Sequence, residues 1–191
     1  LYPSGAVQAE GIAAGLAAWT SPTSTRKLAR GAPPRVAAIY ASPLERAQET
    51  AAPIGRTLGL EVVAHPGLLE CDFGEWTGAE LKVLYKRPEW SQVQRHPSGF
   101  RFPGGESFAG MQARMLDALR EIGDAHRGEA VVAVSHADPI KAAVADALGS
   151  TLDLFQRIVI SPASITAISY GLTPTVLAVN ATAHRLERKA S

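Results

Sequence analysis

Apolar positions along this chain follow two periods, and the period switches several times. Residues 36–40 (VAAIY), 60–65 (LEVVAH) and 130–135 (AVVAVS) are short apolar runs of strand length. Between them the spacing is helical. Val7, Ile12, Leu16 and Trp19 fall close to one helical face within residues 6–19, and Ser42 to Leu58 predicts a second helix. Met111, Met115, Ala118, Leu119 and Ile122 line one side of a long helix over Ser107 to His126, and Pro139 to Leu148 predicts another. SITAISY (164–170) and TVLAVN (175–180) predict a hairpin that closes the sheet. Residues 66–106 read as irregular, with short helical pieces around Leu81 to Tyr85 and Pro88 to Val93. Residues 20–35, rich in Thr, Ser, Pro and Arg, predict a long surface loop rather than a linker. Strands alternating with helices predict an α/β fold: a three-layer sandwich with a mostly parallel central sheet, helices on both faces and antiparallel character at the last hairpin.

In such sheets ligands gather outside the carboxyl ends of the strands, and two strand-to-helix corners lie there. In the first, Ser42 suits an N-cap, Pro43 the first helical position and Glu45 the reciprocal arm of a capping box. Arg46 then falls in the first turn, beside free backbone N–H groups. A guanidinium there is unfavourable unless an anion joins it, so Arg46 is either a solvated arginine or a bidentate phosphate clamp. In the second corner, Asp138 suits an N-cap and Pro139 the first helical position, which puts His136 and the Ala137 amide just ahead of a helix start. His136 is either a satisfied structural histidine or an anion ligand. A serine-hydrolase role for Ser135 fails for want of a G-x-S-x-G turn.

LLECDFGEWTG (68–78) holds three acids, Glu70, Asp72 and Glu75, among bulky aromatics. Glu70 follows two leucines, and partial burial raises a carboxyl toward the neutral pKa of a general acid; the alternative is a loop whose acids face water. In RFPGGES (101–107), Gly105 and Glu106 precede the N-cap candidate Ser107, and a simple turn is the default. Arg95-His96 reads as a surface or specificity loop, since no buried strand precedes it. Trp76, Trp90, Phe100 and Phe102 either rim an entrance or cover the core. His65, His126 and His184 share no spacing with other metal ligands, so no metal site is expected.

Composition narrows the function classes. The 191 residues suit one domain, and 46% apolar with 19% charged is ordinary for a globular protein. A net charge of +1 gives no global field for nucleic acid or an acidic membrane. There is no membrane-spanning run of about 18 apolar residues and no visible signal peptide. The single cysteine, Cys71, allows neither an internal disulfide nor a thiolate cluster, which fits a cytoplasmic setting.

Taken in order, these segments resemble the histidine phosphatase superfamily, of phosphoglycerate mutase-like fold, over essentially the whole chain. GAVQAEGIAAGL is similar to the family's first helix, ASPLERAQETA to its second-arginine motif, LLECDFGEWTG to its acid loop and VAVSHADPIKAAV to its second-histidine motif. EWSQVQRHPSGFRFPGGES and LDLFQRI resemble an actinobacterial subgroup labelled phosphomutases, related to α-ribazole-phosphate phosphatases. The resemblance implies a metal-independent phosphomonoesterase working through a phosphohistidine, with no cofactor and a small phosphorylated metabolite as substrate. By motif, Arg46 clamps the phosphoryl oxygens, His136 stabilises their developing charge and Glu70 protonates the leaving oxygen, within a cationic cradle. Ser42, Ala137, Gly105 and Glu106 join Arg46 and His136 as expected phosphate-binding residues.

No LVRHG motif lies in this sequence. The resemblance therefore implies that the family's first strand, its nucleophilic histidine and its first arginine lie upstream of Leu1, and that 1–191 is an N-terminally incomplete single domain, inactive alone. A phosphomutase of the same fold and a non-catalytic phosphate-binding protein are the alternatives, and a homodimer is left open.

Overall fold

The structure is a computed structural model and describes residues 3–20 and 35–182. Its elements run α1 (Pro3–Thr20), β1 (Val36–Ala41), α2 (Glu45–Leu58), β2 (Val62–Ala64), α3 (Leu81–Leu84), α4 (Trp90–Arg95), α5 (Phe108–Ala125), β3 (Ala130–Val134), α6 (Ala137–Ala147), β4 (Ile165–Tyr170) and β5 (Pro174–Ala181). β1, β2 and β3 form a parallel sheet in the order β2-β1-β3, with Ala41 opposite both Ala64 and Val134. Because the strands are parallel, their exits at Ser42, His65 and Ser135 emerge on one edge. The ladder continues into that edge, where Ser42 N donates to Val134 O at 2.9 Å and His65 N to Ala41 O at 2.8 Å.

Alternation across the pleat builds two cores from one sheet. Ile39, Ala41, Val132 and Val134 pack toward α1 and α2, against Ile12, Leu16, Ala51 and Ile54. Tyr40, Val131 and Ala133 pack toward α5, against Met115, Ala118 and Ile122. These two faces are the three-layer α/β sandwich the pattern predicts. A third core lies under the 66–106 excursion, where Trp76, Phe100, Phe102, Phe108 and Phe155 meet edge-on or tilted at centroid distances of 5.0 to 6.4 Å. Of the two readings of the aromatics, Trp76, Phe100 and Phe102 therefore take the core one, and Trp90 packs against the same cluster half-buried.

Several local expectations are corrected. Val7 is exposed, and α1 buries Ala9, Ile12, Ala13 and Leu16 instead; five residues separate Val7 from Ile12, which is about 140° around a helix. The Trp19 side chain and residues 21–34 of the expected loop lie outside what is described. α2 starts at Glu45 with Leu44 at the cap, so the Ser42 capping box does not form. α6 starts at once after His136, which makes Asp138 a first-turn residue and not the cap. Pro139 is tolerated there because the first four N–H groups of a helix have no intrahelical partner. The hairpin β4–β5 forms its own antiparallel sheet and does not extend the parallel one among the described residues; it packs against α6 instead.

Candidate active site at the carboxyl edge of the sheet

Ser42 leaves β1 and His136 leaves β3, neighbouring parallel strands, so their side chains meet. His136 Nε2 and Ser42 Oγ are 2.8 Å apart, and both residues are buried. Ser42 is held from both sides: its Oγ accepts from Leu44 N at 3.3 Å, and its carbonyl accepts from Gln48 Nε2 at 2.8 Å. The loss of the expected cap has a physical cause, since the Ser42 hydroxyl is committed to the turn and to His136. Burial, reinforced by Arg46 and Arg114, lowers the His136 pKa to about 4. His136 is thus a neutral imidazole in this structure. The positive charge around it therefore comes from the arginines.

Arg46 stands in the first turn of α2, as expected, with its side chain exposed. It is near enough to act electrostatically on both His136 and Glu70. Glu70 arrives from the other side. β2 ends at Ala64, and the next residue is His65, whose Nδ1 accepts from Gly67 N at 3.0 Å and caps a short 3-10 turn, Pro66–Leu68. Ser135 Oγ donates to Leu68 O at 2.8 Å, which pins the acid loop to the end of β3. Glu70 Oε1 then accepts from Cys71 N at 3.0 Å. Burial raises the Glu70 pKa to about 7, with Asp138 adding to the rise and the Cys71 N–H, Arg46 and Lys141 opposing it. A carboxyl poised near neutrality beside a guanidinium can deliver a proton at neutral pH and take one back.

Not every expected residue joins this group. Asp72 Oδ1 accepts from Gly74 N at 2.9 Å, inside its own loop, and Glu75 is exposed. Gly105 and Glu106 line a cavity with Glu70 and Arg114, and their main-chain N–H groups are already engaged: Gly105 N donates to Phe102 O and Glu106 N to Asp72 O, both at 2.9 Å. The Glu106 carboxylate grips Arg114 with both oxygens, at 3.0 and 2.8 Å. An anionic, occupied carboxylate repels phosphate. His96 is bonded through Nδ1 to Asp153 at 3.1 Å on the surface, which agrees with its reading as a surface loop. Ala137 opens α6 next to His136, with the free N–H of a helix start.

The sequence reading missed Asp138, Lys141 and Arg114. Asp138 faces Glu70 closely enough to raise its pKa and is paired with Lys141 at 3.1 Å. Its position in a helix start concealed this, because the carboxyl it acts on, Glu70, lies on a separate loop. Burial, then the carboxylates of Glu106, Asp138 and Glu70, push the Cys71 thiol far up, so it stays protonated at neutral pH. Among the described residues no group of three His, Cys, Asp or Glu is arranged to hold a metal, and no helix is long and apolar enough to cross a membrane.

The solved structures similar to this one share its fold. A mycobacterial glucosyl-3-phosphoglycerate phosphatase, solved with inorganic phosphate, superposes with a TM-score of 0.79 at 24% identity, covering 96% of this chain and 88% of the other. A phosphoserine phosphatase from Entamoeba histolytica, solved with 3-phosphoglyceric acid, gives 0.79 at 23% identity, covering 97% and 86%. Among curated proteins, "Phosphoserine phosphatase 1" of Hydrogenobacter thermophilus is 36% identical over 119 residues, covering 61% of this chain and 56% of that protein. The "Metal-independent phosphoserine phosphatase" of Arabidopsis thaliana is 37% identical over 112 residues, covering 56% and 47%. A bifunctional protein of Mycobacterium tuberculosis is 33% identical over 136 residues, which is 71% of this chain and 37% of that protein. The matched regions thus span from about a third to just over half of these curated relatives. The profile of the histidine phosphatase superfamily (branch 1) matches residues 24–182. That span takes in the sheet, the acid loop and the Ser42–His136 contact, and the chain belongs to this superfamily.

Proposed function

We propose that the protein is a metal-independent phosphomonoesterase acting through a phosphohistidine, on a small phosphorylated metabolite in the cytoplasm. The observation that carries this reading is a glutamate with a pKa of about 7 within electrostatic reach of an arginine that also acts on a buried histidine. A nucleophilic imidazole nitrogen attacks phosphorus, the N–P bond forms and the P–O bond breaks. Glu70 gives its proton to the leaving oxygen. Water then attacks phosphorus, Glu70 takes its proton, and the N–P bond breaks to release phosphate. Arg46 holds the phosphoryl oxygens through both transfers, while His136 offers an imidazole N–H and Ala137 the positive end of α6.

We assign the nucleophile to a strand ahead of residue 1. Two features support this. β3 is paired on one edge only among the described residues, and all 5 of its residues are half-buried. Ser164 Oγ, just before β4, is buried without a partner among them. A strand between β3 and β4 accounts for both. The substrate class is supported by relatives named for phosphoserine and glucosyl-3-phosphoglycerate.

The test uses the whole gene product with p-nitrophenyl phosphate in the presence of a chelator. Expected are sustained turnover without a bisphosphate primer and a trapped phosphoenzyme that is acid-labile and base-stable, as an N–P bond is. Dependence on primer with phosphate retained reassigns the protein as a phosphomutase. Phosphate binding without turnover makes it a binding protein, and loss of turnover to chelator refutes the metal-independent route.

A further inference from the structure

Arg114 lies midway along α5, and each of its five N–H donors is engaged. Nε donates to Glu106 Oε1 at 3.0 Å and Nη2 to Glu106 Oε2 at 2.8 Å. Nη1 donates to Gly67 O at 2.9 Å and Leu69 O at 3.0 Å, and Nη2 also to Glu70 O at 3.3 Å. The Arg114 side chain is three-quarters buried, at 26% exposure, and that of its partner Glu106 matches it at 22%. Three carbonyls within four consecutive residues thus converge on one planar fork. A loop carbonyl bonds to water equally well, so this convergence is not needed merely to satisfy the backbone. What it does is fix the path of the chain up to the residue that carries the acid.

We propose that Arg114, oriented by Glu106, is a positioning residue for Glu70: it anchors the 67–70 backbone to α5 and so sets where the Glu70 carboxyl stands. The proposal rests on the phosphatase reading for its catalytic consequence, though not for its geometry. The groups that act on the carboxyl itself are Asp138 and Lys141 from α6, Arg46 from α2 and the N–H of Cys71. Arg114 meets the acid through the main chain. The Glu106 carboxylate has the complementary task of holding the guanidinium plane, since a fork that rotates loses its carbonyls. Lysine is no substitute, having a point charge where three directions are needed.

The experiment reads the Glu70 carboxyl directly, by carbon-13 titration in the whole gene product, with the resonance identified by its loss in Glu70→Gln. In the unaltered protein a midpoint near 7 is expected. In Arg114→Lys, Arg114→Gln and Glu106→Gln the midpoint moves toward the ordinary 4.5, as a loosened loop lets water reach the carboxyl. Turnover of p-nitrophenyl phosphate falls about tenfold or more in kcat, part of the about 10²–10⁴ that a placed acid supplies, with KM little changed. A folded Arg114 variant with the midpoint still near 7 and kcat unchanged overturns the proposal. If Arg114→Gln does not fold, Arg114→Lys is read in its place, since it keeps the charge and loses only the fork. A protein without phosphatase activity refutes the functional reading instead, and the titration still decides the positioning.

Discussion

At the scale of single residues, Glu70 and His136 have opposite problems of charge. Burial disfavours the ionised form of each, so the glutamate holds its proton to about pH 7 and the histidine refuses one down to about pH 4. As general acid, Glu70 must be protonated when the leaving oxygen departs. With Glu70 acting this way, kcat falls as pH rises through about 7, and Glu70→Gln removes that limb of the profile. Arg46→Ala and His136→Ala each lower kcat by about 10²-fold or more, by analogy with loss of one donor to a developing oxyanion. Near-normal rates in both variants sink the site assignment. Part of this was legible from residue types: a glutamate after two leucines, and an arginine and a histidine at strand-to-helix corners. The Ser42–His136 bond was not, because 94 residues separate its partners. Nor was the pairing of Arg114 with carbonyls 44 to 47 residues earlier.

At the scale of elements, the acid loop depends on a backbone-to-backbone contact that no side chain announces. Gly74 has φ +52°, and a Cβ added there would lie 2.2 Å from Pro103 O and 2.6 Å from Gly105 N. Gly59 ends α2 at φ +66° with open space around it. Both substitutions by alanine carry left-handed strain, worth about 1–3 kcal/mol, but only Gly74→Ala also forces the 72–76 turn away from residues 103–105. Urea unfolding is therefore expected to show Gly74→Ala as clearly the more costly, with a loss of phosphatase activity that Gly59→Ala does not share. Equal costs contradict the close contact. The helix periods identified α5 to within a residue at each end. They misplaced the starts of α2 and α6, because Ser-Pro and Asp-Pro are start signals whose polar groups were claimed elsewhere, the Ser42 hydroxyl by His136 on a neighbouring strand exit and the Asp138 carboxylate by Lys141 one turn further along α6.

At the scale of the whole molecule, the two perturbed groups enter stability with opposite signs. For Glu70 the folded pKa is raised from 4.5 to about 7, so its contribution is fully present below 4.5 and lost as pH rises through 7. For His136 it is lowered from 6.5 to about 4, so its contribution is present above 6.5 and lost as pH falls through 4. Between about 4.5 and 6.5 the two slopes cancel. Glu70→Gln should expose a stability that rises with pH over that window, and His136→Asn one that falls. Melting temperatures measured across it decide the matter, and parallel curves for all three proteins refute it. The sequence by itself determined the α/β class, the alternation that builds a core on each face of one sheet, and the family, because periodicity and short motifs are local properties. Only the tertiary structure decided which polar groups meet. Three parallel exits on one edge bring Ser42, the acid loop and His136 together, and burial there keeps the histidine neutral and raises the glutamate's pKa toward neutrality. Both effects depend on distance and solvent exclusion, which the order of residues along a chain does not contain.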